Sequence, residues 1–548
     1  MFGARLFALA FLFVPTADTA SSPDPYPRRI GIDVEHYRFE LMLSDDTDEI
    51  VGNATVLVRF TSSGVVELPL DLTSRGMAGR GMEVRRVSAR GDDLAYTHEG
   101  DLLTVRLPET GRAGARLAVT IDYRGIPAAG LQIGANKHGD RTFFSDNWPN
   151  RVHNWLPTID HVAEKATSEF VVTAPSDYQV VSNGLVVEEV DHPDGTRLTH
   201  WKQSVPTSPW LYVLGVARFA VQNVGDFQGK PIQTWVYWQD RDAGFYDFAS
   251  PTKQVLEFYD EYVGPFAYEK LANITSPATG GGMEAASAIM YSESMITGTR
   301  TDRVRNVVIH EIAHQWFGNA VSESDWDDVW LSEGFATYFT LLFREHAYGR
   351  DDFVTGLEEA AAAIWPLYEA SPDYRIIHDD LDDMADVTTR IIYQKGAWVL
   401  HMLRKRMGDA AFWSGIRAYY AAHMNGTAST DDFMRAMEEA SGMDHQSFFD
   451  QWLRRGGNPE FQGWWSYDAS AQAVRIELNQ VQAGAPFVMP LEVGVYVDGD
   501  LTPSLIETVE VTAGFHRFVI SVPGEPDDVR LDPNTWSLFL ADFDRRGR

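Results

Sequence analysis

The stretch His-Glu-Ile-Ala-His at residues 310–314, followed by Trp-Leu-Ser-Glu-Gly at residues 330–334, decides the fold and chemistry expected of this chain. Histidines four positions apart on a helix project from one face, so both imidazoles can reach one metal ion. Glu311 is adjacent to the first histidine and can act as a general base toward water. Three protein ligands leave the fourth zinc position open, as a catalytic site requires. The sequence therefore predicts one zinc ion per chain, with these ligands: His310, His314 and Glu333.

Helical periodicity surrounds this motif. Apolar residues recur at helical spacing through residues 301–318, and a second helical stretch over residues 330–348 carries Glu333 near its start. The alternative interpretation is a helix with two ordinary histidines. The first helix carries both histidines on one face and the second carries Glu333 near its start, so the helical pattern favours the metal site.

Composition bounds the class of protein. The 548 residues predict about three or four domains, and 44% hydrophobic with 23% charged residues is typical of globular chains. The net charge of −32 argues against a nucleic-acid partner, because phosphate binding needs a basic surface. This charge is explained by solubility or by adaptation to salt; the alternative is an acidic cleft that attracts cationic groups such as peptide amino termini.

The amino terminus resembles a secretory signal peptide. One basic residue, Arg5, precedes an apolar run at residues 6–14 and small residues up to position 22. This run is too short to span a bilayer, so we expect a secreted or periplasmic protein without a membrane span after cleavage at about residue 22. A buried amino-terminal strand is the alternative. The chain has no cysteine, which restricts zinc ligation to histidine and carboxylate.

Strand and helix patterns divide the chain into three parts. Residues 23–224 alternate as strands and predict an all-β domain, residues 225–457 predict a mainly helical catalytic domain, and residues 458–548 return to strands. The fold class expected is multidomain α+β. The helices predicted in the middle part are residues 245–263, 301–318, 330–348, 353–370, 388–407, 410–423 and 430–440.

The zinc motif, the turn Gly281-Gly282-Met283-Glu284 and the domain order together resemble the zinc aminopeptidases of peptidase family M1. In that family the third-ligand glutamate follows the second histidine after eighteen residues, and residues 315–332 supply that number. The resemblance implies an N-terminal β-sandwich-like domain, a thermolysin-like catalytic domain and a small C-terminal β-sandwich domain. It also implies an enzyme acting on peptides with a free amino terminus.

Site roles follow from the matching strings. Glu284 matches the glutamate that binds the substrate's α-ammonium, and the preceding Gly281, Gly282 and Met283 complete that substrate-binding turn. A carboxylate at a fixed distance from the metal would select the first peptide bond. Tyr393 matches the tyrosine whose hydroxyl donates to the tetrahedral oxyanion.

Three positions depart from the family pattern. Ala285 replaces an asparagine that helps to hold the turn, and Ser332 replaces the asparagine before the third ligand. Asp146 lies where many members carry a glutamine that binds the substrate amine, so it is a candidate ligand for the ammonium group. The alternative is an aspartate that caps a turn.

Several alternatives concern the cleft and the reaction. We expect the family's large helical C-terminal domain to be missing. Its absence predicts either a more open cleft or a cleft closed by dimerisation, so an oligomer is possible. The nearest competing function is a zinc endopeptidase on the same helix pair. An epoxide hydrolase side activity and a catalytically inactive binding scaffold are further alternatives, the latter disfavoured because ligands, base and Tyr393 are all present.

Overall fold

The computed structural model describes residues 28–377, 381, 384, 387, 389 and 391–546. The predicted signal peptide, residues 1–22, lies outside the described residues. Among the helices that are described, none combines the length and apolar character that crossing a bilayer would need. The expected order of a β-rich part, a helical part and a second β part is confirmed.

Fifteen strands build the N-terminal part, because alternating residues bury one face of each strand. They form sheets in the orders β13-β14-β11-β1-β2-β8-β4-β5, β12-β15-β10-β9 and β3-β7-β6. The bounds are β1 Ile32–Met42, β2 Ile50–Phe60, β3 Glu67–Asp71, β4 Gly81–Ala89, β5 Asp92–Asp93, β6 Tyr96–Glu99, β7 Leu102–Arg106, β8 Arg116–Ile126, β9 Leu131–Ala135, β10 Arg141–Ser145, β11 Ala166–Pro175, β12 Gln179–Ser182, β13 Leu185–Asp191, β14 Thr196–Thr207 and β15 Leu214–Ala217.

The catalytic part combines a five-stranded sheet, a short two-stranded sheet and nine described helices. Its strands are β16 Phe219–Phe227, β17 Lys230–Tyr237, β18 Leu271–Ser276, β19 Gly282–Met283, β20 Ala288–Ser292, β21 Val321–Glu323 and β22 Gly426–Ala428. The helices are α1 Arg241–Phe248, α2 Thr252–Tyr262, α3 Asp302–His314, α4 Trp330–Tyr348, α5 Arg350–Ala370, α6 Gly396–Met407, α7 Asp409–His423, α8 Thr430–Ser441 and α9 Gln446–Trp452.

Seven strands close the described chain. They form one sheet in the order β27-β24-β23-β29 and another in the order β26-β25-β28. Their bounds are β23 Glu460–Asp468, β24 Ala473–Gln480, β25 Met489–Tyr496, β26 Leu505–Val511, β27 Phe515–Ser521, β28 Asp528–Leu531 and β29 Leu540–Arg545.

Two boundaries differ from the sequence prediction. The prediction of one helix over residues 245–263 is wrong, because α1 ends at Phe248 and α2 starts at Thr252. Pro251 lies between them, and proline has no N–H group with which to continue a helix. The expected domain boundary at 224/225 crosses β16, which pairs with β17 in the catalytic sheet. Its alternating pattern is indistinguishable from that of the preceding strands.

The edge of the catalytic sheet positions the candidate site. β17, β18 and β20 run parallel to one another, and the two-residue strand β19 pairs antiparallel with β20 at the edge. In that pairing Gly282 lies opposite Tyr291 and Met283 opposite Met290. Glu284 follows directly, so the edge strand delivers its side chain beside α3.

Candidate metal centre

Two buried helices supply the predicted ligands. The side chain of Thr301 accepts a hydrogen bond from the Val304 amide and starts α3, as a helix N-cap does. His310 and His314 lie in the last two turns of this helix. Glu333 lies in the first turn of α4 and, like His314, is buried. The helix pair thus places all three side chains at one point in the interior.

The donor atoms form a nearly equilateral triangle. Nε2 of His310 lies 3.1 Å from Nε2 of His314, and Oε2 of Glu333 lies 3.4 Å from the first and 3.2 Å from the second. A tetrahedral zinc ion with bonds of about 2.0–2.1 Å separates its ligands by about 3.3 Å. Oε2 of Glu333 is buried and faces the two imidazole nitrogens. Both the spacing and the position of this oxygen fit zinc.

Electrostatics couple these ligands. Burial alone would raise the pKa of Glu333, but the two neighbouring imidazoles outweigh it and lower that pKa below its usual range. Burial would likewise lower the pKa of His314, yet the carboxylates of Glu284 and Glu333 raise it to about 10. Buried carboxylates at this density call for a compensating cation, which is the charge that a zinc ion supplies.

The other ring nitrogen of His314 is held by two partners. Nδ1 lies 3.0 Å from the hydroxyl oxygen of Ser332 and 3.2 Å from the carbonyl oxygen of Phe317. These contacts fix the ring with Nε2 toward the metal position. The fit is tight, because a Cβ on Gly318, whose φ is +104°, would lie 2.2 Å from the Ser332 hydroxyl. The serine that departs from the family pattern therefore contacts a ligand directly.

Tyr393 lies on a π-helical turn, Ile391–Lys395, that precedes α6. Sequence periodicity predicted an ordinary helix over residues 388–407 and missed this turn; such turns are frequent at functional sites. The Tyr393 hydroxyl donates a 2.7 Å hydrogen bond to Oε1 of Glu333. Burial and the Glu333 carboxylate raise the pKa of Tyr393, so the hydroxyl stays protonated and remains a donor.

Glu311 lies against the edge strand. A Cβ built on Gly282 would lie 2.0 Å from its Oε1, so only glycine allows this approach. Oε2 of Glu311 is buried and accepts no hydrogen bond. Burial, together with the charge of Glu284, raises the pKa of Glu311 well above its usual range. A carboxylate with a free oxygen and raised basicity is suited to accept a proton.

Glu284 completes the cluster. Its Oε1 lies 3.8 Å from Nε2 of His314, and Glu284, Glu311 and His314 form a second group of converging donor atoms. Burial raises the pKa of Glu284 above its usual range, and Oε1 accepts no hydrogen bond. At Gly281 a Cβ would meet no atom within 4 Å, whereas Met283 is buried. The turn thus has one open and one packed side.

Asp146 has other partners. Its carboxylate pairs with Arg151 at 3.0 Å and accepts a hydrogen bond from the Trp148 amide, so it caps the turn after β10. The structure brings Glu284, His310, Glu311, His314, Glu333 and Tyr393 together, whereas the carboxylate of Asp146 contacts residues of its own turn.

Two buried amides, Gln315 and Asn319, were not predicted. Both donate to the main-chain carbonyl of Glu284, at 3.0 Å and 2.6 Å. The sequence signal that could have indicated them is the pair of amide side chains, four residues apart, that directly follows the histidine motif.

Comparison with known proteins agrees with this geometry. Residues 33–211 match the peptidase M1 N-terminal domain, and residues 248–452 match the peptidase family M1 domain. Human glutamyl aminopeptidase is 31% identical over 330 residues, covering 58% of this chain and 34% of the relative. Tricorn protease-interacting factor F2 of Thermoplasma volcanium is 28% identical over 324 residues, covering 56% and 40%. The chain thus spans about a third of the length of such curated relatives.

Solved structures share the fold. A mutant M1 zinc metallopeptidase of Deinococcus radiodurans, bound to a Tyr-Ser-Ala substrate, superposes with a TM-score of 0.67 at 24% identity, covering 77% of this chain and 94% of the other. The non-mutant enzyme gives a TM-score of 0.64 over 75% and 91%. The two family regions together cover more than half of the sequence, and the zinc-ligand triangle lies within the second. The chain therefore belongs to peptidase family M1.

Proposed function

We propose that this protein is a zinc aminopeptidase that hydrolyses the first peptide bond of peptides with a free amino terminus, using one zinc ion per chain. The observation that carries the proposal is the buried, unpartnered Oε1 of Glu284, which lies 3.8 Å from a zinc-ligand nitrogen. A fixed carboxylate this close to the ligands can hold an α-ammonium one residue from the scissile bond.

The chain's own groups account for the remaining steps. A zinc ion bound by the three ligands would act as a Lewis acid and lower the pKa of water. Glu311 accepts a proton from the attacking water at Oε2 and then delivers it to the nitrogen of the departing peptide. The Tyr393 hydroxyl, which stays protonated, donates to the developing oxyanion when it leaves Glu333.

An endopeptidase is the nearest alternative. Its substrate presents no ammonium group at the position of Glu284, so the buried Oε1 of this carboxylate would have no substrate group to bind. Gly281, Gly282 and Met283 belong to the same turn and are proposed to line the substrate position. We keep Asp146 as a weaker candidate for the ammonium group, because Arg151 already pairs with it.

We also propose that the protein is exported, on the composition of residues 1–22. Amino-terminal sequencing of the protein recovered outside the cytoplasm tests this. An uncleaved terminus would contradict it.

A panel of aminoacyl chromophore substrates, assayed with and without a chelator, tests the activity. We expect release of the chromophore from unblocked substrates, loss after chelation and recovery on adding zinc. Unblocked substrates that stay intact with zinc bound would contradict the proposal.

A further inference from the structure

The turn that carries Glu284 is stabilised by hydrogen bonds with side chains outside the turn. Ala285, at the position of the family asparagine, is fully buried and has no polar side-chain atom to contribute. Ser287 has a φ of +64°, a conformation that an L-residue keeps only when its surroundings hold it. The turn therefore needs an external support.

Gln315 provides a bracket across the turn. Its Nε2 donates to the Glu284 carbonyl at 3.0 Å, and its Oε1 accepts from the Ser287 amide at 2.9 Å. Asn319 adds a second donor to the same carbonyl at 2.6 Å. Both amide side chains are fully buried, so water cannot replace them.

The bracket is attached to a zinc ligand. Gln315 follows His314 directly, and the Asn319 amide donates to the His314 carbonyl at 3.1 Å. On the other side, the Lys165 ammonium donates to the Asn319 carbonyl at 2.8 Å and holds this segment in place. The backbone of Glu284 is thus tied to the backbone of His314 through two short links.

We propose that Gln315 and Asn319 are positioning residues that set the distance between the Glu284 carboxylate and the zinc ligands. This inference rests on the proposed aminopeptidase function. By setting this distance, Gln315 and Asn319 place the Glu284 carboxylate where it can bind a free α-ammonium one residue from the scissile bond.

A double-mutant cycle between Gln315 and Glu284 tests the inference. Gln315→Met keeps the length and removes the hydrogen bonds to the Glu284 carbonyl, the Ser287 amide and the Glu311 carbonyl. We expect unchanged zinc content, a fall of about 10- to 100-fold in kcat/KM for unblocked substrates, carried mainly by KM, and a smaller preference over N-acetylated peptides. In the Glu284→Gln background, Gln315→Met should change little further, because both act through one carboxylate.

Gln480 offers a matched control. Its side chain brackets the Phe487 backbone in the same way, donating to the carbonyl at 2.9 Å and accepting from the amide at 2.8 Å, in the C-terminal β part. Gln480→Met should leave KM and the preference for free amines unchanged. If Gln315→Met does not fold, Asn319→Ala, which removes one donor, takes its place in the cycle.

The outcomes separate the two claims. If Glu284→Gln abolishes the preference for free amines but the effects of the two substitutions simply add, the positioning role is overturned while the proposed function stands. If Glu284→Gln leaves that preference intact, the proposed function and this inference both fail.

Discussion

The Tyr393 hydroxyl donates to Oε1 of Glu333, while Oε2 of the same carboxylate faces the two histidines. Tyr393 therefore orients a predicted zinc ligand, and we propose that the same hydroxyl donates to the oxyanion. Tyr393→Phe should lower kcat about 100- to 1,000-fold with a small change in KM, because it removes a contact made in the transition state. Steady-state kinetics on an unblocked substrate measure this.

Tyr178→Phe is the control for that substitution, since it removes a 2.7 Å hydrogen bond to Asp45 in the N-terminal part. It should leave kcat unchanged. A Tyr393→Phe enzyme that raises KM and keeps kcat would show a role in substrate binding instead.

Glu311→Gln should retain zinc, because Glu311 is outside the three-ligand set, and should lower kcat about 100- to 10,000-fold. The amide keeps the shape beside Gly282 but cannot accept the proton. Metal analysis of the purified variant, together with its turnover rate, checks both parts. A near-normal rate would refute the role of Glu311 as base.

Ser332→Ala should weaken zinc binding by about tenfold, because His314 loses one of the two partners of Nδ1 and keeps only the Phe317 carbonyl. Competition with a chromogenic chelator measures the affinity without requiring turnover. Ser441→Ala, which removes a 2.8 Å hydrogen bond to the Met437 carbonyl in α8, is the control. Equal zinc affinity in the Ser332 and Ser441 variants would exclude the orienting role.

The sequence pattern predicted that three side chains cluster, and the structure brings them together. The helical period and the i, i+4 spacing fix the faces of α3 and α4, so His310, His314 and Glu333 could be grouped from the sequence. The same reasoning failed at residues 245–263, where apolar spacing hid the break at Pro251.

Contacts between residues far apart in the sequence could not be predicted from the periodicity. The hydrogen bond between Gln315 and Ser287 joins residues 28 positions apart, and Oε1 of Glu311 lies against Gly282 of a different element. Nothing in the periodicity marks these pairs. The family resemblance placed Asp146 beside a substrate amine, but its side chain pairs with Arg151, which the motif did not include.

Acid should weaken the N-terminal part through Glu169. Burial opposes its ionisation, but hydrogen bonds from Lys202, Arg38 and His200 outweigh burial and lower its pKa from the usual 4.5 to about 2. A carboxylate with a depressed folded pKa stabilises the fold above about pH 4.5, and this contribution is lost as pH falls toward 2.

Glu169→Gln should therefore lower the free energy of unfolding at pH 7, by about 1 to 2 kcal/mol because solvent screens part of the interaction, and the difference from the parent should shrink between about pH 4.5 and 2. Urea unfolding at a series of pH values measures this. A difference that stays constant across that range would contradict the assignment to charge.

We propose above all that Glu284 binds the free α-ammonium and thereby restricts cleavage to the first peptide bond. A decapeptide and its N-acetylated counterpart, incubated with the zinc-loaded enzyme and followed by mass spectrometry, test this most directly. We predict a series of products from the free decapeptide, each one residue shorter at the amino terminus than the last. We predict that the acetylated peptide stays intact. Cleavage of both peptides at similar rates, or at internal bonds, would contradict it.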